Sequence, residues 1–210
     1  MTEPVRPLVA VYADESCLGN GREGENPGGA GVLVEFQRTA EEPLVRRDLW
    51  VAEPATTNNR MALRSVIEAM SALSGKGRRF QVVFTTDSRY IVDGMTQWVH
   101  DWARRGWTRK SGAVENLQLW QQAVEAACVH EVQWVWVRGH HGHAQNEYAN
   151  HLATRAAATQ TGSGGLIESA FQAWAGERAA TTQPLRVEAF PDTTLFRASR
   201  ALPVVRAASP

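Results

Sequence analysis

Leu8-Val9-Ala10-Val11-Tyr12, a short apolar run ending in Asp14, and, after a glycine-rich stretch from Gly19 to Gly29, Gly31-Val32-Leu33-Val34-Glu35-Phe36 decide how this chain begins to fold. Only a loop tolerates so many glycines, so the two apolar runs read as strands joined by a glycine loop. A third β-like run, Leu44 to Val51, precedes Thr56-Thr57-Asn58-Asn59. These four offer capping side chains to a helix with Leu63, Val66, Ile67, Met70 and Leu73 at helical spacing. Gly75-Lys76-Gly77 ends that helix.

Phe80 to Thr86 is the next buried strand. Asp87-Ser88 closes it and caps a helix bearing Tyr90, Ile91, Met95, Trp98 and Trp102, with Gly94 marking a break into two pieces. A helix over Asn116 to Cys128 leads into Val132-Gln133-Trp134-Val135-Trp136-Val137, rich in β-branched and aromatic residues and read as a strand. Arg138-Gly139-His140-His141-Gly142-His143 is a flexible loop before a last helix, Ala144 to Ala158. Three β segments followed by alternating helix and strand predict an α/β domain whose mixed sheet has an antiparallel meander and a parallel half.

The domain is expected to span residues 1–161. Beyond Gly162-Ser163-Gly164-Gly165, Leu166, Ile167, Phe171 and Trp174 form a short amphipathic segment. Residues 162–210 therefore read as a C-terminal extension, partly irregular or disordered, or draped on the domain. The length of 210 residues suits one domain of about 150 residues plus this tail.

With 22 acidic and 22 basic side chains there is no global positive field. Any attraction to nucleic acid must come from local clustering. Cys17 and Cys128 stand far apart in no metal-binding spacing, which suits a reducing compartment. No basic leader precedes an apolar run and no 18 apolar residues follow one another, so a soluble, cytoplasmic protein is expected.

Asp14 and Asp87 each stand where a strand stops beside a loop, and such strand ends line the functional edge of an open α/β sheet. An isolated Asp there can equally do no more than cap the following turn. The segments Asp14-Glu15-Ser16-Cys17-Leu18-Gly19-Asn20, Pro27-Gly28-Gly29-Ala30-Gly31, Thr56-Thr57-Asn58-Asn59-Arg60-Met61, Thr86-Asp87-Ser88-Arg89-Tyr90, Thr96-Gln97-Trp98-Val99-His100-Asp101-Trp102, Arg105-Gly106-Trp107 and Trp136-Val137-Arg138-Gly139-His140 extend the pattern. In order and spacing they resemble type 1 ribonucleases H of bacteria. The resemblance covers about residues 8–158, with an insertion, Arg22 to Asn26, in the glycine loop. It implies a ribonuclease H-like fold, a five-stranded mixed sheet with helices on both faces, and an endonuclease acting on RNA–DNA hybrids.

The resemblance implies four carboxylates holding two Mg²⁺ ions, with Mn²⁺ as a possible substitute. The first and third are Asp14 and Asp87; the second falls on Ala62 and the fourth on Asn150. Glu15 replaces the Gly of the type 1 Asp-Gly-Ser pattern, and an Asp-Glu pair on the first strand resembles type 2 ribonucleases H. The missing Glu is therefore read as relocated to Glu15. Successive side chains of a regular strand point to opposite faces, so Glu15 is expected to join Asp14 through a kink. Asn150 would contribute an amide oxygen, and hard Mg²⁺ accepts such oxygen ligands. His140 matches the family His that assists proton transfer, and its ordinary pKa suits that role. Glu147 matches a family Glu beside the site. A transition-metal site on His143, Glu147 and His151 is the competing reading of the histidine cluster.

Reading a 2′-hydroxyl across a wide minor groove needs polar groups on loops. Asn20, Asn58, Asn59 and Arg89 occupy family positions for such contacts, while Thr57 and Arg60 resemble the pocket for a DNA-strand phosphate. Asn58 and Asn59 can also serve as helix caps. His100, Arg104, Arg105, Arg109 and Lys110, interleaved with Trp98, Trp102 and Trp107, resemble the basic protrusion of bacterial enzymes. Cations there would neutralise phosphates, while the aromatics pack the protrusion or stack on sugars. An RNA–DNA hybrid is the expected partner, with no membrane, no small organic cofactor and a monomeric chain. Ala62 and Asn150 sustain the alternative of a catalytically inactive hybrid-binding module. A nuclease for double-stranded RNA or DNA on the same fold is a third reading.

Overall fold

The computed structural model describes residues 6–19, 26–39, 41–139, 141–181 and 185–205. β1 (Leu8–Cys17), β2 (Gly28–Phe36) and β3 (Val45–Glu53) form an antiparallel meander, and β4 (Gln81–Thr86) and β5 (Glu131–Trp136) add to the other side of β1 in parallel. A sixth strand, β6 (Ile167–Glu168), pairs antiparallel with β3, giving the order β5-β4-β1-β2-β3-β6. The sheet is thus six-stranded rather than five-stranded. The extra strand comes from the C-terminal extension, where no sustained alternation announces it.

Helices cover both faces because β1 is apolar on both. Val9, Val11 and Ala13 pack with α1 (Asn58–Leu73) and α4 (Leu117–Ala127) on one face. Ala10 and Tyr12 pack with α5 (Ala144–Thr159) on the other. The glycines at the start of β2 belong to the strand rather than to the loop, and close packing explains them. A Cβ on Gly31 would lie 2.2 Å from the carbonyl oxygen of Ala149, and one on Gly29 equally close to that of Ala153. Bare backbone lets α5 lie directly on β2.

Gly94 does not break its helix in two. α2 (Arg89–Asp93) passes through a π-helical turn, Gly94–Trp98, into α3 (Val99–Arg104). A Cβ at Gly94 would stand 2.0 Å from the indole ring of Trp120, so a close crossing with α4 demands the glycine. The extension meets the domain at several points along its described part. α6 (Phe171–Thr181) buries Phe171 beside Tyr148, and the irregular run after it reaches β5, where the amide of Ser199 donates to Val132 O at 2.8 Å.

Candidate active site

β1 outruns its parallel neighbour. Its pairing with β4 ends at Ala13 opposite Thr86, whereas its pairing with β2 continues to Cys17 opposite Gly28. Asp14 and Glu15 therefore project past the end of β4, next to the turn that carries Asp87. β5 stops level with β4, Trp136 opposite Thr86, which leaves this corner of the sheet open.

The register of β1 on β2 is continuous through Asp14↔Gly31, Glu15↔Ala30 and Ser16↔Gly29, so the expected kink is absent. Asp14 follows the even-numbered residues to the α5 face. Its carboxylate accepts from the Glu15 amide at 2.7 Å and from the Asn146 side-chain amide at 3.5 Å. Glu15 follows the odd-numbered residues to the α1 face, where its side chain is hydrogen-bonded to Ser88. Both carboxylates nevertheless feel the charge of Asp87, because the overhang of β1 flanks the turn from both sides.

Burial, then the charges of Asp87 and Glu15, push the Asp14 carboxyl up to about 9. Burial and then Asp87 push Glu15 up to about 8, against the Ser88 bond that favours the ionised form. Glu147 adds a smaller upward push on Asp14. Carboxylates pushed up by burial and by one another's charge are groups that a nearby cation would stabilise in the ionised form. Among the described residues no three Asp, Glu, His or Cys side chains are gathered at metal-ligand spacing. The oxygen-only donor set still matches a hard divalent ion.

Asp87 is held from two sides. The indole N–H of Trp136 donates to its carbonyl at 3.0 Å, and Gly139 leaves room for its carboxylate. The guanidinium of Arg89 lies 3.9 Å from the centre of the Trp136 ring. Ala62 is buried in the same apolar cluster as Ala13 and brings no carboxylate. Asn150 is half-buried on α5, one turn beyond Asn146. His140 and Asn20 lie outside the described residues.

At the start of α1 the cap is Thr57, whose hydroxyl accepts from the Arg60 amide at 3.3 Å; neither Asn58 nor Asn59 caps the helix. The side-chain oxygen of Asn58 is buried without a hydrogen-bond partner. Arg60 is paired with Glu53 at 3.6 Å. Trp98 and Trp102 join Tyr90 and Trp120 in an aromatic cluster, with the Trp98 and Trp102 rings 5.9 Å apart. Arg104 and Arg105 are both exposed, and Arg104 pairs with Asp101. The histidine cluster does not converge: His143 Nδ1 accepts from the Asn146 amide to cap α5, and His151 stacks on Tyr148.

Asn146, Ser88, Trp136 and Gly139 were not singled out from the sequence. Only Asn146 carried a usable signal, standing four residues before Asn150 on one helix face. The contacts of Ser88, Trp136 and Gly139 exist only once β1, β4 and β5 are side by side.

Residues 6–158 match the RNase H family model. Two relatives called "Ribonuclease H" match a stretch of similar length. One, from Erythrobacter litoralis, is 44% identical over 73% of this chain and 98% of its own length. The other, from Halorhodospira halophila, is 45% identical over 74% of this chain and 95% of its own. Among solved structures, LC9-RNase H1, described as a type 1 RNase H with the type 2 active-site motif, is 68% identical and matches at TM-score 0.93 over 100% of both chains. The RNase H domain of PFV matches at TM-score 0.60 and 18% identity, over 73% of this chain and 96% of its own, which is likeness of fold alone.

Proposed function

The chain belongs to the ribonuclease H family and hydrolyses the RNA strand of RNA–DNA hybrids, and from that premise we propose that it does so with Asp14, Glu15, Asp87 and Asn150 as its metal-binding set. One observation supports this reading: β1 overhangs β4, and both of its consecutive acidic residues feel the charge of Asp87. Glu15 then supplies the carboxylate that Ala62 lacks, and the description of the 68% identical LC9-RNase H1 supports a type 2 motif on this type 1 frame.

Bound there, two Mg²⁺ ions, with Mn²⁺ as substitute, would activate the attacking water and stabilise the leaving 3′-oxygen, giving 5′-phosphate and 3′-hydroxyl ends. The chain's own residues supply the rest. Ser88 orients Glu15, Asn146 orients Asp14, and Trp136 anchors the backbone of Asp87. Asn150 offers a neutral amide oxygen in place of a fourth carboxylate. His140 takes or gives a proton as the product departs. Asn20, Thr57, Asn58, Asn59, Arg60 and Arg89 hold the hybrid near the site. Arg104, Arg105, Trp98 and Trp102 form the protrusion that meets its backbone.

The protein acts as a monomer in the cytoplasm and needs no organic cofactor. Among the described residues no helix is long and apolar enough to cross a membrane. The test is a purified sample with Mg²⁺ and end-labelled substrates. Cleavage of a hybrid, with duplex RNA and duplex DNA left intact, is expected. Tight hybrid binding without cleavage would instead establish the inactive module that Ala62 and Asn150 suggest.

A further inference from the structure

The two relatives named above are matched over nearly their whole length by about three quarters of this chain, so the extension is an addition to a domain that is elsewhere complete without it. Its irregular run passes directly over the amino end of α5. The amide of Arg186 donates to Gly142 O at 2.7 Å, and the amide of Ala144 donates to Arg186 O at 3.0 Å. Arg186 and His143 thereby form a parallel β-bridge. Two residues on, the side chain of Gln145 grips the backbone of Glu188 at both ends. Its Nε2 donates to Glu188 O at 2.7 Å and its Oε1 accepts from the Glu188 amide at 3.1 Å.

Gln145 is fully buried, so losing these bonds would leave its amide stranded. From this clamp a short chain of contacts leads to the catalytic corner. His143, bridged by Arg186, caps α5 through Asn146, and Asn146 donates to the carboxylate of Asp14.

We propose that Arg186–Glu188 is a positioning strap that fixes the amino-terminal turn of α5, and through Asn146 the carboxylate of Asp14, for catalysis. The proposal rests on the metal-site reading above. The strap acts through backbone groups, so its charged side chains are dispensable while its amides are not. Gln145 is the matching positioning residue on the helix. This assigns the extension a role in the rate of the chemical step rather than in holding substrate.

The test compares Glu188→Pro, which deletes the amide that Gln145 receives, with Glu188→Ala, which keeps it; Gln145→Leu removes the same clamp from the helix side. Single- and multiple-turnover cleavage of a labelled hybrid is measured well below each variant's Tm, alongside hydrogen exchange of the amides of residues 144–147. Glu188→Pro and Gln145→Leu are expected to lower kcat about tenfold with KM within about twofold, since small misplacements of reacting groups are costly. Exchange at 144–147 should quicken about tenfold in the same two variants. Glu188→Ala should match the parent in both readouts. Unchanged kcat with a lowered Tm would reduce the strap to a stabilising element, and a raised KM at unchanged kcat would make it a substrate contact; either overturns the proposal. If the parent failed to cleave, the functional reading would fall, and exchange alone would still decide whether the strap fixes α5.

Discussion

A Cβ placed on Gly139 would stand 2.0 Å from Oδ2 of Asp87, so the carboxylate of one strand end rests against the bare backbone of the loop that follows another. The glycine is needed for space, since it is not among the glycines with positive φ. Gly139→Ala is therefore expected to push the Asp87 carboxylate out of place. A displacement of about 1 Å can cost on the order of 100-fold in rate. Cleavage assays and thermal melts check it: kcat should fall by that order while Tm moves little. An alanine variant at parental activity would show that Asp87 has room to spare.

Glu15 and Ala62 sit on the same side of β1, one half-buried beside Ser88 and the other sealed in the apolar cluster. Glu15→Ala is expected to cost two or more orders of magnitude in kcat, the scale on which a lost metal ligand acts. Ala62→Glu should not raise activity, and it should destabilise the fold by roughly 1–3 kcal/mol because it buries a polar group in a packed cluster. Asn150→Asp should be tolerated. Near-silent Glu15→Ala in an active parent would end the relocation reading.

The raised carboxyls of Asp14 and Glu15 make a pH prediction with a definite sign. Their folded values, about 9 and about 8, lie above the ordinary 3.8 and 4.5, so the fold favours their protonated forms. Their stabilising contribution is complete below about pH 4 and is lost as pH rises toward 9. In EDTA, Asp14→Asn should therefore gain Tm over the parent increasingly between pH 5 and 9, as flagged by the same linkage. Added Mg²⁺ should close that gap by neutralising the parent's carboxylates. A pH-independent gap, or one insensitive to Mg²⁺, would show that the crowding is already relieved by protein groups.

Because Arg104 is bound to Asp101, its charge is partly spent, and the freer cation of the pair is Arg105. Arg105→Ala is expected to weaken hybrid binding and flatten the dependence of log Kd on log salt by about one unit, as for one lost phosphate contact. Arg104→Ala should change the slope less. Filter binding at several salt concentrations reads both. Equal slopes for parent and Arg105→Ala would place that side chain away from the backbone of the hybrid.

Much of this architecture was legible in local pattern. The strands β1 to β5, the helices α1, α4 and α5, and the place of Asp87 just after β4 follow from apolar period, turn residues and the family motifs, because these act over a few neighbouring residues; Asp14, expected at a strand end, lies inside β1, which runs on to Cys17. Amino-acid identity likewise determined that the donor set is oxygen-rich and that Ala62 and Asn150 depart from the family's carboxylates. What the tertiary structure decided depends on which strands end where. A regular β1 sends Asp14 and Glu15 to opposite faces, and its overhang past the shorter β4 leaves both within reach of the charge of Asp87 without a kink. The same holds for Gly94 against Trp120, Gly139 against Asp87 and Gln145 against Glu188, pairs separated by 26, 52 and 43 residues. Contacts at such separations leave no periodicity in the chain, so residue identity alone cannot distinguish a packing glycine from a hinge, or a clamp from an ordinary helical glutamine.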